Sequence, residues 1–384
     1  MNDSLSKRSD VVLHAVSSGG LYGLERMLLN LLPELERQGC PVTLLCLDGP
    51  DTKVGKAAQA LGISTVFVDC AGRVTPRGWI DLYRAIASQP PRLVHVHGYK
   101  ATILAGAAAL GCGVPTVATY HHVAAKASER SRSLSWYAAL ETPILRRCRG
   151  VAAVSAQIAE ELKARRVPDR RIRVIFNGIA TPEAASNGRS GADQAKPFRP
   201  CILSLSRLAP EKNIHLVIDA IAALLPEFPH IGLIVAGDGP LLNELTLHAS
   251  SLGIERSIRF VGFAEDVRPL YDRCDAFVLA SQTEGMPIAV LEAMALGVPI
   301  VASRVGGIPL MLDDESEALL IEPNDVRSLY EALRRLIVDE GLRTHLARAA
   351  RGRFERDYSA GRMAQSYIRF YDEIAPRSWY ADDL

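Results

Sequence analysis

Short runs of consecutive apolar residues alternate with longer amphipathic stretches along the whole chain. In the first half VVLHAV (11–16), VTLLCL (42–47), STVFVD (64–69), LVHVHG (93–98), TVATYH (116–121), GVAAVS (150–155) and IRVIFNG (172–178) read as strands. Several are apolar at successive positions, as expected for strands covered on both faces. Between them lie helical patterns such as LERMLLNLLPELERQG, apolar on one face and stopped by Gly39. The stretch TPEAASNGRSGADQAKPFRP (181–200) has no apolar period and is rich in turn formers, so it reads as a linker. The alternation then restarts with CILSLSRL (201–208), IGLIVAG (231–237), IRFVGF (258–263), AFVLAS (276–281), VPIVAS (298–303) and ALLIEP (318–323). Strand–helix alternation in both halves predicts an α/β chain of two doubly wound, Rossmann-like domains with parallel sheets. The expected division is a first domain over 1–180, a linker over 181–199 and a second domain over 200–355. A terminal helical stretch, 356–384, is expected to cross back to the first domain. Ligands in such sheets bind outside the carboxyl ends of the strands, so facing domains would form a cleft from two sets of strand-end loops.

Composition narrows the class. The 384 residues are 48% hydrophobic and 23% charged, which suits a folded globular chain. A net charge of +1 gives no global reason to expect nucleic acid. Seven scattered cysteines with no CxxC fit reduced thiols in a cytoplasmic protein. The polar start MNDSLSKRSD carries no apolar core of a secretory signal. Residues 101–125 contain no Asp, Glu, Lys or Arg, long enough to raise a membrane span. GCGVP at 111–115 breaks that segment, which reads instead as a buried helix followed by a strand in a soluble protein.

Four constellations stand where strands end. SSGGLYGLE (17–25) lets backbone approach a phosphate or sugar at Gly19-Gly20, but its spacing fails the dinucleotide fingerprint and a tight turn explains it equally. In SLSRLAPEKN (204–213) Arg207 and Lys212 can clamp a diphosphate, against the plain reading of a solvated basic loop. AGDGP (236–240) is a glycine turn in which Asp238 needs no role beyond turn chemistry. TEGMPIAVLE (283–292) places Glu284 ahead of a helix and Glu292 within it, with Pro287 suited to the first helical position and Gly297 to its end. The amides of Gly285, Met286 and Ile288 would lie between the two acids at the positive end of the helix dipole. A capped core helix with two solvated glutamates is the competing reading. His95 and His97 alternate along one strand and His121-His122 end another, yet no Cys or carboxylate stands beside them at ligand spacing. No Asp-x-Asp pair ends a strand, so no metal is expected.

Taken in order, SRLAPEKN, VAGDGP, FVGF and the E-x7-E pair Glu284–Glu292 followed by AMALGVPIVASRVGGIPLML resemble glycosyltransferase family 4, the retaining nucleotide-sugar transferases of GT-B architecture. The resemblance covers nearly the whole chain. It implies that the first domain serves the acceptor and the second the nucleotide sugar. Glu292 would hold the ribose hydroxyls, and Glu284 with the backbone of Gly285, Met286, Pro287 and Ile288 the transferred sugar. Arg207 and Lys212 would neutralise the departing diphosphate, Val261-Gly262-Phe263 would meet the base, and Gly19-Gly20 would close over the phosphates. His121 would approach the donor sugar, with His122 the alternative one position on. The co-substrate is then a nucleotide-diphosphate sugar, with no cofactor and no metal required.

The acceptor implied is a glycan or lipid-linked precursor in polysaccharide biosynthesis. The segment 126–150, with Lys126, Arg130, Arg132, Arg146, Arg147 and Arg149 among apolar residues, can sit on anionic lipid at the inner face of a membrane, or be a solvated helix pair. A nucleotide-sugar 2-epimerase shares the two-domain build but lacks E-x7-E. A dehydrogenase is disfavoured by the failed glycine fingerprint, and a silent sugar-nucleotide binding protein by the cations and carboxylates.

Overall fold

The computed structural model describes residues 9–17, 20, 23–70, 76–121, 132–180 and 197–377. Its internal contacts divide the chain into two compact units, Met1–Ala180 with Ala360–Leu384, and Thr181–Ser359. Of the expected linker, 181–196 lie outside the described residues.

The first unit holds seven strands: β1 (Val12–Val16), β2 (Val42–Cys46), β3 (Ser64–Phe67), β4 (Leu93–His97), β5 (Thr116–Tyr120), β6 (Gly150–Ala153) and β7 (Ile172–Val174). They pair in parallel in the order β3-β2-β1-β4-β5-β6-β7, so the order reverses between β1 and β4. Every residue of β1, β4 and β6 is buried, whereas the edge strand β3 alternates between exposed and half-buried. This is the physical source of the unbroken apolar runs: a central strand has no wet face. IRVIFNG stays in the ladder only to Val174. The helix Gly23–Arg37 buries the stripe Met27, Leu28, Leu31, Leu32 and Leu35, and Gly39 beyond it takes a left-handed φ of 74°. The uncharged stretch after β4 is helical over 99–111, with a π-turn at Thr102–Gly106. Among the described residues no helix is long and apolar enough to cross a membrane.

The second unit holds β8 (Cys201–Leu205), β9 (Gly232–Ala236), β10 (Ile258–Gly262), β11 (Ala276–Leu279), β12 (Ile300–Ser303) and β13 (Leu319–Ile321). The order β10-β9-β8-β11-β12-β13 repeats the reversal, here between β8 and β11. Its core packs strand residues such as Ile202, Leu233 and Val278 against the helices Ile214–Leu224 and Val326–Val338. A last helix of this unit, Glu340–Asp357, ends at Tyr358.

The terminal helix then runs over Ala360–Ile374, starting four residues later than the pattern alone indicates, and it belongs to the first unit. A Cβ on Gly150 would fall 2.5 Å from the side-chain ends of both Phe370 and Ile374 of this helix, so glycine there leaves those side chains room against β6. Arg92 pairs with Asp372. The sheet face beneath carries three fully buried histidines. His95 Nδ1 meets the Tyr371 hydroxyl at 2.7 Å and its Nε2 meets Thr119 Oγ1 at 2.7 Å. Thr119 Oγ1 also bonds the Tyr367 hydroxyl at 2.9 Å, and His14 Nδ1 lies 3.1 Å from His97 Nε2.

Burial holds all three imidazoles neutral: His14 is pushed down to about 3, and His95 and His97 lie well below the ordinary histidine value. Unfolded, each takes a proton near 6.5, so below that pH the unfolded chain binds more protons than the folded one. Their contribution to stability is therefore complete above about pH 6.5 and is lost as pH falls toward the folded values, at about 1.4 kcal/mol per pH unit for each histidine. Urea unfolding followed between about pH 7 and pH 5 should show this slope, and a first unit equally stable across that window would contradict neutral burial.

Candidate active site

Three strand-end loops of the second unit, after β8, β11 and β12, meet at Glu284, and the turns after β9 and β10 brace the β8 loop. The β8 loop brings Arg207 and Lys212; Arg207 is exposed, whereas Lys212 is half-buried. A Cβ on Gly237 would come 1.9 Å from Ser206 O, and one on Gly239 2.3 Å from Leu208 O. The glycine turn after β9 is thus the platform on which the Arg207 loop rests, and Leu208 N donates to Asp238 O at 2.8 Å. Asp238 acts there through its backbone, as turn chemistry implies. Gly262, at the end of β10, accepts from Gly237 N at 2.7 Å and has a φ of 70°, with Val261 exposed and Phe263 half-buried beside it.

Glu284 follows β11 and is buried. Its Oε1 accepts from Lys212 Nζ at 2.6 Å and from Ser281 Oγ at 2.7 Å. Both bonds fall on one oxygen, and no described residue donates to Oε2. Gln282 N donates to Glu211 O at 2.8 Å, stitching the β11 loop to the β8 loop. The solvated-acid reading therefore fails for Glu284. From the β12 loop, Gly306 approaches so closely that a Cβ would lie 1.6 Å from Glu284 O, and Gly307 N donates to that same carbonyl at 3.3 Å.

The helix carrying Glu292 spans Ile288–Leu296 and closes at Gly297 with a φ of 65°. Pro287 is its N-cap, with an extended ψ of 124°, one position before the first helical residue rather than in it. Proline's fixed φ suits both positions, which is why composition alone did not separate them. Met286 and Ile288 are buried and anchor the turn, with Gly285 half-buried just ahead of them. Glu292 is half-buried, with Tyr271 donating to its Oε2 at 3.4 Å and to Ala289 O at 2.7 Å.

In the first unit Gly20 is buried at the end of β1 and His121 is half-buried at the end of β5; Gly19, His122 and 126–131 lie outside the described residues. The His97 and His121 ring centroids are 6.0 Å apart. Ring nitrogens of His14, His95 and His97 lie within 4.8 Å of one another, a grouping that spacing along β4 alone did not reveal because His14 comes from β1.

Two family models match this arrangement, one described as Glycosyltransferase Family 4 over residues 22–182 and one as glycosyl transferases group 1 over residues 192–353. The chain belongs to glycosyltransferase family 4. This family-4 enzyme is 27% identical over 339 residues to a UDP-Gal:α-D-GlcNAc-diphosphoundecaprenol α-1,3-galactosyltransferase of Escherichia coli, covering 84% of this chain and 86% of that one. It is 30% identical over 295 residues to a glycogen synthase of Mycobacterium tuberculosis, covering 73% of this chain and 68% of that one. The crystal structure of Anabaena HepE in complex with UDP-glucose superposes with a TM-score of 0.80 at 19% identity, covering 94% of this chain and 99% of that one. The likeness to HepE is one of fold: two parallel α/β units in the GT-B architecture.

Ser281, Gly306 and His14 escaped the sequence reading of this transferase. Gly306 stood within the quoted motif, but its necessity comes from a carbonyl in a different loop. Gly306→Ala should therefore displace Glu284 and lower transfer about ten-fold or more. Gly253 has a similar φ of 70° but open space where a Cβ would go. Gly253→Ala should show only left-handed strain, about 1–2 kcal/mol, with transfer unchanged. Equal kinetics in the two variants would show that the Gly306 contact is dispensable.

Proposed function

We propose that the chain moves a hexose-type sugar, with retention of anomeric configuration, from a nucleotide-diphosphate sugar to an acceptor hydroxyl of a lipid-linked glycan or exopolysaccharide precursor. The observation that carries this reading is Glu284 itself. Its Oε1 is occupied by Lys212 and Ser281, and its Oε2 is left to a ligand at the point where the strand order of the second sheet reverses. A carboxylate so held is rigid, and its open oxygen suits a sugar hydroxyl.

Transfer gathers positive charge on the sugar and negative charge on the leaving diphosphate. Arg207 and Lys212 take the second charge, each contributing a few kcal/mol in the manner of oxyanion stabilisation. The two cations do there what a divalent metal does elsewhere, so the reaction runs without one. Glu284 is not assigned as a nucleophile, since Lys212 and Ser281 hold it as a binding group. Attack by the acceptor from the face that the diphosphate leaves accounts for retention. Glu292 holds the ribose, the Val261–Phe263 loop meets the base, Gly19-Gly20 covers the phosphates and His121 approaches the donor sugar. The basic helix Arg132–Arg147 suits peripheral contact with anionic lipid at the cytoplasmic face.

Thermal shift with UDP- and GDP-sugars tests the donor class, and stabilisation by NAD alone would overturn it. Activity should survive excess EDTA; a full loss restored by Mg²⁺ or Mn²⁺ would refute metal independence. Lys212→Ala strips buried Glu284 of its half-buried counter-charge, so stability should fall along with kcat. Exposed Arg207→Ala is the cleaner test, and should lower kcat by orders of magnitude with the fold unchanged. Calorimetry separates the glutamates. Glu292→Gln should weaken free nucleoside diphosphate about ten-fold or more, for loss of charge-assisted bonds worth roughly 1.5–3 kcal/mol. Glu284→Gln should leave that affinity nearly unchanged and damage kcat. Equal losses of nucleotide binding in both would end this division of roles.

A further inference from the structure

The buried histidines of the first unit do something that packing does not require. His95 and His97 share one face of β4, and the register His97↔Thr119 puts Thr119, and His121 two residues on, on the same face of β5. With His14 of β1 they make a polar stripe through an apolar core, ending at the strand-end histidine assigned to the donor sugar. His14 Nε2 and His97 Nδ1 are buried without a hydrogen-bond partner among the described residues. Each such atom carries a desolvation cost that leucine or phenylalanine would not. A local rule broken at that expense points to function rather than stability.

The stripe is rigid for identifiable reasons. Both nitrogens of His95 are engaged, by Tyr371 and by Thr119, and Thr119 is in turn bonded to Tyr367. His97 packs on His95 with centroids 4.0 Å apart and shares its Nε2 with His14 Nδ1. One of those two nitrogens must carry the proton and the other must accept, so the tautomers of His14 and His97 are linked. His121 lies next along, its ring tilted 36° to that of His97.

We propose that His97 is a positioning residue for His121. The His97 ring is the wall against which the His121 imidazole lies. The network behind it, anchored by Tyr367 and Tyr371 of the terminal helix, holds that wall in place and so fixes the plane in which His121 meets the donor. This rests on the role given to His121 above. A bound metal fits the same histidines poorly. Both nitrogens of His95 already face hydroxyls, and the remote nitrogens of His14 and His97 lack the acceptors to which metal-bound imidazoles donate.

Histidine-selective ring ¹³C spectra of the full chain, with His121 assigned through His121→Ala, report how firmly its ring is held. His97→Leu, which removes the ring wall, should shift and broaden the His121 ring signals, while His97→Phe, which keeps a planar ring there, should leave them sharp. Tyr371→Phe removes only a hydroxyl and carries the same test if His97→Leu fails to fold. An unchanged His121 spectrum in folded His97→Leu or Tyr371→Phe, or stoichiometric zinc in the purified protein, would overturn the proposal. Kinetics with the donor found by thermal shift add a second readout. His97→Leu should lower kcat about ten-fold or more with KM nearly constant, and should have no further effect in a His121→Ala background. An equal loss in both backgrounds would overturn positioning. Normal activity of His121→Ala would refute the role of His121 while leaving the spectra to decide whether His97 orients it.

Discussion

The Glu284 carboxylate is the point to which the second unit is built. A buried carboxylate is costly unless paired and hydrogen-bonded, and here one oxygen receives both an ammonium and a hydroxyl. That requirement brings the β8 loop to the β11 loop. The Glu284 carbonyl is fixed from the other side by Gly306 and Gly307. Removing any of these contacts leaves a desolvated charge or a displaced backbone, so the loops hold one another in place. The loop that carries the carboxylate is thereby left with little freedom to reorganise.

The first unit uses the opposite chemistry. Its polar core is neutral, because burial makes the charged form of three imidazoles too costly. Hydroxyls of Tyr367, Tyr371 and Thr119 satisfy part of that stripe. The tyrosines come from a helix that follows the second unit in sequence, so the end of the chain completes the interior near its beginning. The sheet face at β4 and β5 is therefore finished only when the terminal helix docks, and Gly150 leaves room for its side chains.

Much of the fold was legible before any coordinates. Each of the thirteen runs holds a strand in the structure; the central ones were plainest, since strands covered on both faces must be apolar throughout and that pattern needs no partner to be read. Strand ends were less legible: IRVIFNG leaves the ladder at Val174, where edge position rather than composition decides. At the site, Arg207, Lys212, Glu284 and Glu292 were named from motif order. The ion pair that ties two of them was not, although both were in view. Ser281 and Gly306 act on Glu284, and their residue types are too common at strand ends to stand out.

The amino-acid sequence by itself determined the alternation of strands and helices, the two parallel-sheet units and the family, because each is written in local periodicity or in motifs contiguous along the chain. Tertiary structure alone decided which oxygen of Glu284 is spoken for, which glycines cannot carry a side chain, and that His14 joins His95 and His97. These depend on residues far apart in sequence, 72 positions between Lys212 and Glu284 and 83 between His14 and His97, brought together by parallel pairing and loop crossing. Local patterning records which face a residue prefers; it does not record what stands opposite.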